Sequence, residues 1–221
     1  MKTIGIIQVK GGAGRSTVST NLAGELSKQG KTVLIDCDMP QGTSASWFAV
    51  RQQQAETKQR PLFSENLFAD TAANHRELVA KVEQYQDADF ILLDGPPRIA
   101  ELTRAILVLA DLCLVPVGAS KAEIWATSDL LALVEEAKKI KPVKIRMIWT
   151  RHRPHTKLAQ ELSEMAAKEL GLAALSTSLG MRVSYIQALG EGLTVAELTE
   201  PSAKAEIRLL TTEVKRLIKV K

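Results

Sequence analysis

The stretch IIQVKGGAGRSTVSTNLAGEL, residues 6–26, constrains the fold more than any other part of the chain. It overlaps KTIGIIQV, an apolar, β-branched run that reads as a buried strand over residues 3–9. Gly11, Gly12 and Gly14 then permit the positive-φ, tightly wound backbone in which successive N–H groups turn inward as an anion nest. Ser16 and Thr17 open a helix predicted over residues 16–29, with Val18, Leu22, Ala23 and Leu26 at helical spacing. A helix N-terminus carries partial positive charge and unpaired N–H groups, so strand, glycine loop and helix in this order make a cradle for phosphate. The general pattern for such a loop, G-x-x-x-x-G-K-[ST], is missed twice, with Val9 in place of the first glycine and Arg15 in place of the lysine. Two basic residues, Lys10 and Arg15, bracket the glycines instead.

The remaining pattern extends this unit into an alternating one. Strands are predicted at residues 3–9, 32–36, 89–94, 112–117, 143–149 and 172–176, most of them separated by amphipathic helical stretches such as KAEIWATSDLLALVEEAKKI, residues 121–140. Apolar strands alternating with helices specify an α/β fold, a mainly parallel twisted sheet with helices on both faces, in three layers. At 221 residues and 45% hydrophobic side chains the chain can bury a full core as a single domain, residues 1–221. The polar run RQQQAETKQR, residues 51–60, reads as a helix end followed by a surface loop. No apolar run approaches the roughly 18 residues of a membrane span, and the N-terminus enters a strand directly, so a cytoplasmic protein is expected. Cys37 and Cys113 lie in apolar, strand-like runs and are expected as small buried hydrophobes, with neither a disulfide nor a metal site.

Two further strands end in aspartate. In open α/β sheets ligands sit at the carboxyl ends of the strands, and VLIDCD and FILLDGPP bring Asp36, Asp38 and Asp94 there. An aspartate after four apolar strand residues is how a phosphate-loop protein holds Mg²⁺, with the loop hydroxyl as a direct ligand. Ser16, Asp94 and Asp36 are the expected metal-side residues.

Taken together, Lys10-Gly11-Gly12-Ala13-Gly14-Arg15-Ser16-Thr17, Asp36-x-Asp38 followed by Pro40-Gln41-Gly42, and Asp94-Gly95-Pro96-Pro97 resemble the deviant Walker A, Walker A′ and switch II motifs of the ParA/MinD P-loop ATPases. The C-terminal third, containing TRHRPHTKLAQEL, VSYIQALGEGLTVAEL and AEIRLL, is similar to that of short plasmid-partition ParA proteins. The resemblance implies ATP and Mg²⁺ as cofactors. It implies nucleotide contacts from Lys10, Gly11, Gly12, Ala13, Gly14, Arg15, Ser16 and Thr17, joined by Arg151. It further implies that Lys10 reaches across a dimer interface to the ATP of the other subunit, a task suited to a compact charge on a long stem. Lys10, Asp38 and Arg15 are the implied catalytic residues, Asp38 by placing the attacking water. The chain departs from the pattern at Arg15, usually lysine, and at Met39, which intervenes between Asp38 and Pro40; either departure is expected to slow hydrolysis, and the resemblance implies that a partner stimulates it.

Charge separates the two ends of the chain. Residues 141–221 carry 14 Lys and Arg against 8 Asp and Glu, a net of +6, while residues 1–140 carry 15 against 17, a net of −2. A one-sided basic excess attracts polyanions without base-specific contacts, which fits a homodimer that forms on ATP binding and holds nonspecific DNA on the nucleoid. Lys204, Arg208, Lys215, Arg216 and Lys219 are the candidate DNA contacts, with Arg182 a weaker one. A small DNA-binding or cargo adaptor protein is the expected partner, and a plasmid, chromosome locus or other cargo the expected load. AEIRLLTTEVKRLIKVK is also basic and amphipathic, as a membrane-surface helix of the MinD kind would be. Ile207, Leu210, Val214 and Leu217 recur at spacings of three and four, however, and packing on the sheet is the simpler use of that face, so no stable membrane association is expected. A metabolic P-loop enzyme is the other alternative; iron–sulfur chemistry would need cysteines on interface loops.

Overall fold

The computed structural model describes residues 1–58, 65–98 and 101–220. Six strands, β1 (Lys2–Ile6), β2 (Thr32–Asp36), β3 (Leu67–Thr71), β4 (Phe90–Asp94), β5 (Leu112–Gly118) and β6 (Lys144–Thr150), form one sheet in the order β3-β2-β4-β1-β5-β6. Every pairing is parallel. Such a sheet buries both faces, and its side chains divide accordingly. Val33, Ile35, Ile91, Leu93, Cys113 and Val115 enter one core layer. Ile4, Ile6, Leu34, Leu92, Leu112 and Leu114 enter the other. Because alternate side chains enter layers that are both buried, these strands read as continuous apolar runs.

Helices α3 (His75–Gln84), α4 (Glu101–Leu109), α5 (Lys121–Ile140) and α6 (Lys157–Leu170) cover the first face through residues such as Leu78, Ile106, Ile124 and Leu162. Helices α1 (Arg15–Leu26), α2 (Thr43–Lys58), α7 (Val183–Gly190) and α8 (Pro201–Ile218) cover the second through Leu22, Trp47, Ala188 and Leu210. The chain runs from β1 to β2 and β3 at one edge, returns through β4 beside β1, then builds β5 and β6 outward on the other side. The carboxyl end of β1 therefore lies at the reversal of strand order, where open α/β sheets leave a crevice.

Two predicted strands differ from the sequence reading, and one strand was not predicted. The first strand stops at Ile6 rather than residue 9, because the Gln8 side chain takes over the backbone's role: its Oε1 accepts from Val9 N–H at 2.8 Å. Residues 172–176 form no strand of the sheet. They touch β6 through the single bridge Met147–Ala174 and two hydrogen bonds, too few to extend a ladder. Edge strand β3 was not anticipated, because LFADT is short and only one of its residues is fully buried. The polar run at residues 51–60 continues α2 as far as Lys58, and residues 59 and 60 lie outside the described residues. Along α8, Ile207, Leu210 and Val214 are buried as expected, while Ile218 and not the half-buried Leu217 completes the apolar stripe. Both cysteines are free and buried.

Candidate functional site

Residues 7–14 wind over the carboxyl end of β1. Gly14 is the N-cap of α1 with φ 97°, a left-handed conformation that costs glycine alone little. No side chain caps this N-terminus and no acidic residue sits in its first turn. The helix dipole and first-turn N–H groups therefore face a crevice lined by Gly12, Ser16, Thr17, Asp38 and Gln41. Thr150, at the end of β6, fastens the loop by donating its hydroxyl to the Ala13 carbonyl at 2.8 Å. Gln8 fastens its start, donating to the Pro116 carbonyl at 3.0 Å and the Thr127 hydroxyl at 2.8 Å.

Arg15 turns inward. Its Nε donates to the Gly95 carbonyl at 2.8 Å, and Nη1 donates to the carbonyls of Gln8 at 2.9 Å and Lys10 at 2.8 Å. Nη2 lies 3.6 Å from Asp38 Oδ2. A planar fork thus stitches both sides of the glycine loop to the segment after β4, a span that a single ammonium nitrogen could not cover. Burial lowers the Arg15 pKa, opposed by the charges of Asp94, Asp38 and Asp36. Gly95 itself lies close against the end of β1: a Cβ there would sit 2.9 Å from the Ile6 carbonyl oxygen.

Asp94 is buried, and neither of its carboxylate oxygens completes a hydrogen bond with the described residues. Burial pushes its pKa up to about 6 and the charge of Asp36 adds to the shift. The hydroxyls of Ser16 and Ser44 and the Arg15 guanidinium pull the other way, though neither hydroxyl reaches hydrogen-bond geometry. An unpartnered carboxylate beside a serine hydroxyl, at the mouth of an amide nest, fits Mg²⁺, which takes one or two protein oxygens and fills its octahedron with water and phosphate. Asp36 is placed otherwise than expected. Its Oδ1 accepts from Asp38 N–H at 2.9 Å, and Oδ2 from Ser44 and Ala45 N–H at 2.9 and 3.0 Å. It organises the start of α2, which leaves Asp94 as the carboxylate with open coordination. No cluster of three or more His, Cys, Asp or Glu side chains that could hold a metal ion occurs among the described residues. Asp38 faces the crevice with its pKa raised by burial, against the lowering effect of Arg15.

At the rim, Lys10 Nζ lies 3.0 Å from Glu123 Oε1, and Arg151 Nη2 lies 3.2 Å from the same oxygen. Arg151 Nη1 also donates to the Gly12 carbonyl. The structure therefore brings Arg151 to the loop from the far end of β6, and adds Glu123, whose place in an amphipathic helix gave no sequence signal. Beside the loop, Gly14, Thr17, Thr150, Met181, Ile186 and Leu189 border a mainly apolar recess of about 280 Å³, which the sequence reading did not identify.

The basic residues are divided. Arg208, Lys215 and Arg216 line a groove between α8 and the end of α1 with Gln29, Glu25 and Thr212. Lys219 caps α8, and Lys204 stands in its first turn. Arg182 lies apart: its guanidinium pairs with Glu200 at 2.8 Å and Glu206 at 2.7 Å, bonds that raise its pKa and bind the start of α7 to α8. A cation neutralised by two carboxylates is a poor phosphate ligand.

A parallel sheet in this strand order, with a glycine cradle over β1 at the reversal point, defines an α/β P-loop NTPase fold. A family profile described as ATPase MipZ matches residues 2–149, and the chain belongs to this family of ParA/MinD P-loop ATPases. It is 28% identical over 217 residues to the maintenance of carboxysome distribution protein A of Halothiobacillus neapolitanus, covering 96% of this chain and 95% of that protein. It is 29% identical over 234 residues to the chromosome-partitioning ATPase Soj of Thermus thermophilus, covering 95% and 94%. Among solved structures, Cyanothece McdA in complex with ATP superposes with a TM-score of 0.79 at 20% identity, covering 100% of this chain and 97% of that one. A plasmid partition protein from Borrelia burgdorferi bound to AMPPNP gives 0.74 at 20%, covering 97% and 99%. At these identities the superpositions establish the fold.

Proposed function

We propose that this chain is an ATP- and Mg²⁺-dependent switch whose ATP-bound form dimerises, binds DNA without sequence preference and positions a cargo through an adaptor protein. The observation that carries the reading is the orphaned Asp94 carboxylate facing the uncapped start of α1, with Lys10 at the rim. The nest and the first turn of α1 take the phosphates, the apolar recess beside Gly14 takes the base, and Ser16 and Asp94 would hold Mg²⁺. Bound there, Mg²⁺ would supply positive charge against the phosphates, and Asp38 would orient the attacking water. The relatives' roles in chromosome partitioning and carboxysome distribution support a positioning function. A bilayer-surface role finds less support, because the apolar stripe of α8 is in the core. Light scattering tests the reading. The mass is expected to double with ATP and Mg²⁺ and not with ADP, while Lys10→Ala still binds ATP but stays monomeric. A mass indifferent to nucleotide would sink it.

A further inference from the structure

The recess beside Gly14 is walled on one side by residues 179–182, a segment outside the six strands. Its hold on β6 is slight: Leu179 N–H donates to the Trp149 carbonyl at 2.8 Å, and the Leu179 carbonyl accepts from His152 N–H at 3.0 Å. Helix α8 supplies further support through one carboxylate. Glu206 Oε1 accepts from Arg182 Nε at 3.0 Å and Nη2 at 2.7 Å. Its Oε2 accepts from Gly180 N–H at 3.0 Å and from the Tyr185 hydroxyl at 2.7 Å. Four donors from the wall and from α7 thus converge on a side chain 18% exposed, in charge-assisted bonds that are stronger than neutral ones. The helix behind it is a rigid mount, because Ile207, Leu210 and Val214 are buried in the core. The phosphate loop is fastened elsewhere, by Thr150 and Gln8.

We propose that Glu206 is a positioning residue for the nucleotide base. By tying Gly180, Arg182 and Tyr185 to α8 it fixes the width of the recess, so that affinity for a nucleoside triphosphate depends on it and affinity for the bare triphosphate does not. The inference rests on the reading above that the recess takes the base. A wall already in place spares the ligand the cost of ordering it. In Glu206→Gln one accepting oxygen becomes an amide nitrogen that only donates, and the donors that faced that oxygen are left without a partner.

Isothermal titration calorimetry with ATP and with inorganic tripolyphosphate, each with Mg²⁺, separates the two halves of the site. The parent is expected to bind ATP more tightly than tripolyphosphate. Glu206→Gln is expected to bind ATP about tenfold more weakly, the loss when the wall stands in place about a tenth of the time, and to match the parent for tripolyphosphate. Glu206→Asp, which keeps the charge at a shorter reach, should fall between the two for ATP. A variant with the parent's ATP affinity overturns the positioning role. So does an equal loss for both ligands, which is what a merely loosened fold would give. A parent that binds ATP no more tightly than tripolyphosphate overturns the base reading of the recess and this inference with it; a parent that binds neither condemns the nucleotide switch as well. Should Glu206→Gln fail to fold, Glu206→Asp carries the comparison.

Discussion

Asp94 shows how a single side chain can weaken a fold and equip it for work. Its folded pKa of about 6 lies above the ordinary 3.8, so between those values the native state binds more protons than the unfolded one. Stability from this group is therefore highest below about pH 4 and falls as pH rises through 6, where the full cost of burying the anion, about 3 kcal/mol, is present. In EDTA and without nucleotide, Asp94→Asn is expected to melt several degrees above the parent at pH 7.5, since 1 kcal/mol moves Tm by roughly 2–4 °C in a domain of this size. The difference should shrink toward pH 4. Differential scanning calorimetry at the two pH values checks it, and a lower Tm for the variant at pH 7.5 would mean that Asp94 is satisfied in a way the geometry does not show. Arg15 makes the complementary point about legibility. Its position in the motif was plain in the sequence, but its three carbonyl partners come from residues 8, 10 and 95, and only folding brings Gly95 to it.

At the scale of elements, the second helical layer is joined by polar contacts as well as apolar ones. Arg51 on α2 makes a bidentate pair with Glu197, at 2.8 and 3.0 Å, and donates to the Gly192 carbonyl at 3.0 Å. The Arg51 and Glu197 side chains are 2% and 6% exposed. Trp47 packs against the guanidinium and bonds the Leu193 carbonyl. Removing one partner leaves a buried charge uncompensated, so Arg51→Ala is expected to cost about 3–5 kcal/mol in urea unfolding. A loss below about 1 kcal/mol would show that water reaches Glu197. The sequence reading treated Arg51 as part of a polar run because nothing local distinguishes a buried arginine from a solvated one; its partner is 146 residues away. The strand expected at residues 172–176 failed for a related reason, since an apolar run specifies burial but its ladder depends on the neighbour it meets.

At the scale of the molecule, the C-terminal basic excess becomes a surface only through the packing of α8 against α1. That packing buries Ile207, Leu210 and Val214 and turns Arg208, Lys215 and Arg216 into one groove. Pairing two copies would double the cations offered to one duplex, and each phosphate neutralised adds roughly 0.9 to the slope of log affinity against log salt. The protein is expected to retard DNA of arbitrary sequence with ATP and Mg²⁺ and much less with ADP. Arg208→Glu combined with Arg216→Glu should abolish retardation and leave ATP-dependent dimerisation intact. Equal retardation by the double variant would place the DNA elsewhere.

The sequence by itself determined the parallel α/β architecture, the glycine cradle and the three aspartates at strand ends. These follow from local rules: side-chain period, positive-φ glycines and the chemistry of a helix N-terminus. Only the tertiary structure decided which aspartate keeps its oxygens open, that Arg182 is neutralised by Glu200 and Glu206, and that Glu123 holds Lys10 and Arg151. Each of these depends on partners distant in the chain, and whether a charge is buried, paired or free is a property of what folding places around it, which no spacing along the sequence encodes.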